Sequence, residues 1–217
     1  MIDITDSRIC ISIAEPTVKK CVNSLGGLEL AEIRLDKVKV NDSDIKKIFS
    51  QPVRLVATCR PGNLKDDSRK QILLKAIDAG AAYVDVEVDS NDSYKKEIMK
   101  TARKKGCTVI MSFHDYNRTP PKGELEQIVE WCFNSGADMA KIACKVKSDR
   151  DNARLLGLLD SERRIIVVGM GEKGIITRVV APMLGSPFTF ASLSKGKETA
   201  EGQVTARELR ELLVLLK

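Results

Sequence analysis

Short runs of β-branched and small apolar residues recur eight times along the chain, and each is followed by a longer run with the 3.6-residue spacing of an amphipathic helix. The strand-like runs fall at 8–13, 28–34, 53–58, 83–87, 108–113, 139–143, 164–168 and 188–191. Helix-like runs follow at 17–25, 43–49, 67–79, 92–105, 123–134, 149–159, 174–184 and 205–215. Gly80, Gly106 and Gly136 each stand at the end of a helical run, two or three residues before the next strand, where a helix C′ glycine belongs. Eight βα units without a linker predict an α/β chain of the (β/α)8 TIM-barrel class, a single barrel catalytic domain over residues 1–217. The rival is an open doubly wound sheet, but no G-x-G-x-x-G follows the first strand.

Strand side chains alternate between faces, so the polar positions of these runs can be assigned to a side. In 83–88 the three valines share a face suited to helix packing, which leaves Tyr83, Asp85 and Glu87 facing the barrel axis. By the same parity Leu30, Glu32 and Arg34 share a face, as do Ser112 and His114, and Met139, Lys141 and Ala143. Charged groups collect toward the carboxyl ends of the strands: Glu32 and Arg34, Arg60, Glu87, His114 and Lys141. That end carries the chemistry in barrels of this class. Singly, each residue also fits a solvated strand end or an ion pair, and Glu32 with Arg34 fits a structural pair.

Lys141 is the residue least explained by burial alone, because it sits at the centre of the apolar run Met139-Ala140-Lys141-Ile142-Ala143. A buried ammonium is costly unless paired or neutralised, and a neutral amine attacks carbonyl carbon. His114, the chain's one histidine, ends the preceding strand run. The alternative for Lys141 is a side chain that snorkels to solvent from a strand end.

Composition narrows the partners. The 36 basic and 30 acidic residues give a net charge of +6 without a long basic block, and aromatics make up 4%. Nucleic-acid binding is therefore not expected, whereas a small anionic substrate suits local arginines. Six widely spaced cysteines without a C-x-x-C fit a reduced, cytoplasmic protein. The acidic opening residues 1–6 form no apolar leader segment and no run is long enough for a bilayer, so no membrane association is expected.

In the last third, Gly169-Met170-Gly171-Glu172-Lys173-Gly174 follows the seventh strand and opens the helix bearing Arg178, and Ser192 follows the eighth. Barrels often bind anions there; otherwise this is a flexible glycine loop with a helix-surface arginine. Thr199-Ala200-Glu201-Gly202-Gln203 reads as a polar, mobile loop able to fold over a ligand.

Taken together, Glu32-Ile33-Arg34-Leu35-Asp36, Thr58-Cys59-Arg60, Ser112-Phe113-His114-Asp115-Tyr116, Lys141-Ile142-Ala143, the Gly-Met-Gly stretch leading to Arg178, and Gly202-Gln203 resemble the type I 3-dehydroquinate dehydratase family. The resemblance spans nearly the whole chain. It implies a (β/α)8 barrel, a homodimer without metal or organic cofactor, and the small-molecule substrate 3-dehydroquinate of the shikimate pathway. It further implies that Lys141 forms a Schiff base with the C3 ketone and that His114 acts as general acid and base. Arg178 would bind the carboxylate with Gln203 and Thr199, and Glu32, Arg34, Arg60 and Ser12 would hold the ring hydroxyls. From strand adjacency, Glu87 is expected to support His114. The helix at 123–134, with Trp131 and Phe133, is the expected dimer surface.

Two departures from the family pattern stand out. Thr199-Ala200-Glu201-Gly202-Gln203 replaces Ser-Ala-Pro-Gly-Gln, and Pro61-Gly62-Asn63-Leu64-Lys65 lacks the family's acidic Glu-Gly-Gly. Two other functions fit the residues alone: a class I aldolase, which shares the imine but cleaves a carbon–carbon bond, and a catalytically silent barrel that binds an anionic metabolite or a partner.

Overall fold

The computed structural model describes residues 8–62 and 64–216; the acidic residues 1–6 and Asn63 of the loop after the third strand lie outside them. Eight strands alternate with eight helices: β1 Ile9–Ile13, α1 Val18–Asn23, β2 Leu30–Arg34, α2 Asp42–Phe49, β3 Arg54–Thr58, α3 Asp66–Asp78, β4 Tyr83–Glu87 and α4 Asp92–Lys105 form the first half. The second half comprises β5 Thr108–Asp115, α5 Lys122–Asn134, β6 Met139–Lys145, α6 Asp149–Leu156, β7 Ile165–Met170, α7 Ile175–Val180, β8 Thr189–Ser192 and α8 Ala206–Leu215. All ladders are parallel, in the order β7-β6-β5-β4-β3-β2-β1-β8, so the sheet curls into a nearly closed (β/α)8 barrel with its seam between β7 and β8.

Two apolar clusters hold this arrangement. The larger lies between sheet and helices and includes Val84, Val86 and Val88, the outward side of β4. The smaller fills the barrel interior with Cys10, Leu30, Val56, Tyr83, Ile110 and Met139 from successive strands. One pleat step further along the same strands, the inward residues become Ser12, Glu32, Thr58, Asp85, Ser112 and Lys141. An apolar floor beneath a polar tier is thus built by the period-2 geometry of the strands.

Several boundaries differ from the sequence expectation. β5 continues through His114 to Asp115, which pairs with Cys144, so the histidine lies within a strand rather than at its end. Gly169 and Met170 belong to β7, with Gly169 pairing with Cys144 and Met170 with Lys145. Ser192 ends β8 instead of following it. The helix expected at 174–184 is a 3-10 turn at Glu172–Gly174, α7, and a second 3-10 turn at Ala181–Leu184, where Pro182 lacks the amide to continue an α-helix. Gly80, Gly106 and Gly136 all take positive φ just past their helices, a conformation in which a side chain would clash and glycine does not. On α5, Phe133 packs against the outer core while Trp131 stays exposed beside Lys95. Among the described residues no helix is long and apolar enough to cross a membrane.

Candidate active site

A cavity of about 320 Å³ opens at the carboxyl ends of the strands. Its lining includes Ser12, Glu32, Arg34, Arg60, His114, Lys141, Arg178, Thr199 and Gln203, nine of the ten site residues expected from the sequence; the tenth, Glu87, lies behind His114.

Lys141 is only 6% exposed. Its Nζ lies 3.0 Å from Asp85 Oδ2 and 4.5 Å from the centre of the Phe190 ring, so the side chain turns into the barrel rather than out to solvent. Asp85 is the member of this cluster that sequence reasoning did not select, although strand parity had put it on the interior face. Arg60 grips the same carboxylate with both terminal nitrogens, at 2.8 and 2.7 Å, and Ser112 Oγ donates to it at 2.6 Å. Burial alone would raise the Asp85 pKa, but Arg60 and Lys141 outweigh it and hold the group well below the usual carboxylate range. A carboxylate between two cations keeps both inside the barrel without an uncompensated charge.

His114 follows Ser112 on the same face of β5, and Ser112 pairs in register with Lys141 of β6. Adjacent strands therefore bring imidazole and amine to one cavity. His114 Nδ1 lies 2.9 Å from Glu87 Oε2. Burial raises the Glu87 pKa, yet Arg60 and the hydrogen bond to His114 bring it below the ordinary value. The ionised carboxylate can only accept, so Nδ1 carries the proton and Nε2 is left as the basic nitrogen. Burial and then Arg60 lower the His114 pKa, against the opposing pull of Glu87. Tyr116 stacks beside the imidazole, ring centres 5.9 Å apart.

Arg60 is committed to carboxylates on two sides, since Nη1 also reaches Glu87 Oε1 at 2.5 Å. Arg34 does not pair with Glu32: its Nε and Nη2 fork onto Asp36 at 3.0 and 2.8 Å. Glu32 instead accepts from Ser12 and Thr58, each at 2.8 Å. The two do not form the structural pair with each other: Glu32 finds its partners on the neighbouring strands β1 and β3, and Arg34 finds Asp36 two residues along its own chain.

Arg178 corrects the alternative of a helix-surface arginine, because it is fully buried. α7 approaches β7 so closely that a Cβ on Gly174 would lie 2.4 Å from the Gly169 carbonyl carbon, and Thr177 Oγ1 ties the two, accepting from Gly169 N at 2.7 Å. This close docking aims Arg178 inward, where Nη1 donates to Phe190 O at 3.1 Å across the β7/β8 seam. Its Nε and Nη2 have no hydrogen-bond partner among the described residues. Burial draws its pKa down to about 10. A guanidinium with two nitrogens still open in a cavity wall is a ready receptor for a carboxylate.

Segment 199–203 passes over the cavity. Gln203 Oε1 accepts from Thr199 N at 2.7 Å and Thr199 Oγ1 at 3.2 Å, and Gln203 Nε2 donates to Ser12 Oγ at 3.2 Å.

The family model described as Type I 3-dehydroquinase matches residues 9–217. A 3-dehydroquinate dehydratase of Methanocaldococcus jannaschii is 34% identical over 220 residues, which cover 96% of this chain and 98% of the relative. Another from Pyrococcus abyssi is 32% identical over 216 residues, with coverages of 96% and 98%. Among solved structures, a type I 3-dehydroquinate dehydratase from Clostridium difficile, crystallised with covalent modified comenic acid, aligns at a TM-score of 0.86 and 27% identity over 97% of this chain and 92% of its own.

Proposed function

The chain belongs to the type I 3-dehydroquinase family, and from that premise we propose that it dehydrates 3-dehydroquinate to 3-dehydroshikimate through an imine on Lys141. The observation that carries the proposal is the buried amine of Lys141, held by Asp85 in the same cavity as an imidazole whose Nδ1 is already engaged.

Each step has a group to perform it. Arg178 receives the substrate carboxylate on its two unpartnered donors, with Gln203 and Thr199 beside it. Glu32, Arg34, Arg60 and Ser12 hold the ring hydroxyls. Lys141 gives up a proton, attacks the C3 ketone, and the carbinolamine loses water to leave an iminium. The iminium accepts the electron pair released when the C2–H bond breaks, and His114 Nε2 takes that proton. The enamine then expels the C1 hydroxyl as His114 returns the proton, forming the C1–C2 double bond and water. A final water hydrolyses the iminium and frees the amine.

The electrostatics suit this cycle. Glu87 stabilises the imidazolium that forms after proton abstraction and fixes the tautomer beforehand. Asp85 offsets the positive charge of the Lys141 iminium as it did that of the ammonium. In this reading the protein acts in the cytoplasm, in keeping with six buried free cysteines, and as a homodimer, which its mass in solution would test. Incubation with 3-dehydroquinate should give an enone absorbing in the near ultraviolet. Carbon–carbon cleavage products would favour an aldolase, and unchanged substrate with folded protein would contradict the proposal.

A further inference from the structure

The segment that carries Thr199 and Gln203 is anchored unequally at the two sides of the barrel mouth. Toward β2 its contact is a long one, Arg34 Nη1 to Thr199 O at 3.4 Å. Toward β6 and β7 the grip is closer. Gly171 N donates to Glu201 O at 3.1 Å, and Lys145 Nζ meets Glu201 Oε1 at 2.5 Å. The backbones touch there: Gly202 has φ +72, and a Cβ on it would lie 2.2 Å from Gly171 O. Gly171 leaves room in turn for the lysine, since its own Cβ would lie 3.0 Å from Lys145 Nζ. Lys145 ends β6 on the same face as Lys141 and lines the cavity, yet its charge goes to the loop.

We propose that Lys145 and Glu201 are positioning residues: their ion pair latches the 199–203 segment onto the β6/β7 end and so sets how Thr199 and Gln203 are presented to the substrate. Neither charge touches the reacting atoms. Gly171 and Gly202 bring the two backbones within reach of each other without any contribution from a ligand's atoms. Its pair is part-exposed, with side-chain exposures of 26% and 65%, so salt screens it. A pair of this kind is worth roughly a 2- to 5-fold change in the equilibrium it biases. The kinetic consequence rests on the function proposed above; the latch itself does not.

The test uses the full chain and two readouts. Exchange of the Gly171 amide, followed by NMR, reports opening without substrate. Steady-state turnover of 3-dehydroquinate reports presentation. E201Q and K145M should each speed Gly171 exchange about 2- to 5-fold and raise KM by a similar factor with little change in kcat. Added salt should speed exchange in the unmodified protein and leave E201Q unchanged. The charge-reversed pair K145E/E201K should restore slow exchange, which a merely packed lysine would not do. Exchange in E201Q equal to that of the unmodified protein would overturn the latch, and so would a raised KM without faster exchange, which would make Lys145 a direct substrate ligand. Should exchange behave as expected while the unmodified protein turns over no 3-dehydroquinate, the latch stands and the functional proposal fails.

Discussion

Asp85 Oδ2 lies 3.0 Å from Lys141 Nζ although β4 and β6 are not neighbours in the sheet. The contact crosses the inner face of β5, whose Ser112 fills the step between them and donates to the same carboxylate. The buried amine thus shares Asp85 with a second basic group, Arg60. The cluster is weak as a source of stability, since desolvation consumes most of the Coulomb gain, but breaking it is expensive.

Replacing Asp85 with Asn should therefore destabilise the fold by about 3 to 5 kcal/mol and abolish most turnover, as read by urea unfolding and by rate. The pH dependence has a definite sign. The folded-state pKa of Asp85 is depressed, so its contribution is fully present above the unfolded value of about 4 and fades as pH falls below it. Unfolding curves collected down the acid range should be steeper with pH for the unmodified protein than for D85N. Equal slopes would show that Asp85 is not linked to stability.

Glu87 offers a separate test of the imidazole. Because the folded-state pKa of His114 is lowered, its basic form should persist below the ordinary imidazole value of about 6.5, and the acid limb of kcat/KM should lie there. E87Q removes the group that opposes the lowering, so that limb should move further acid while the plateau falls on the order of 10-fold or more. Full activity with an unchanged profile would refute a role for Glu87.

Arg178 should behave as a residue kept for binding at the expense of stability. It is fully buried with two donors unpartnered. R178M should raise KM by roughly 100-fold or more, since two charge-assisted hydrogen bonds are worth about 3 kcal/mol at the least, while leaving the melting temperature the same or higher. A large loss of stability would instead make Arg178 a brace across the β7/β8 seam, through its bond to Phe190 O.

Much of this was legible in the residues because barrel strands alternate faithfully. The valines of β4 and the polar pair opposite them fix which side faces the axis, and the same parity carries Ser112, His114 and Lys141 inward. Polar residues misled where they sat inside strands. His114, Asp115 and Gly169 look like strand terminators, yet the parallel ladders to neighbouring strands run on through them; only His114 faces the polar interior, and Gly169 turns outward to meet Gly174. Asp85 was not singled out because its partner lies two strands away, and strand adjacency speaks only for neighbours. The inward aim of Arg178 depends on Gly169 and Gly174 meeting face to face, a contact that spacing alone does not reveal.

The most direct test of imine chemistry is reduction in place. Borohydride added with 3-dehydroquinate should leave one stable mass adduct, mapped by peptide sequencing to Lys141, and K141M should show none. Turnover of 3-dehydroquinate with no adduct, or an adduct on another lysine, would contradict the assignment of Lys141 as the nucleophile.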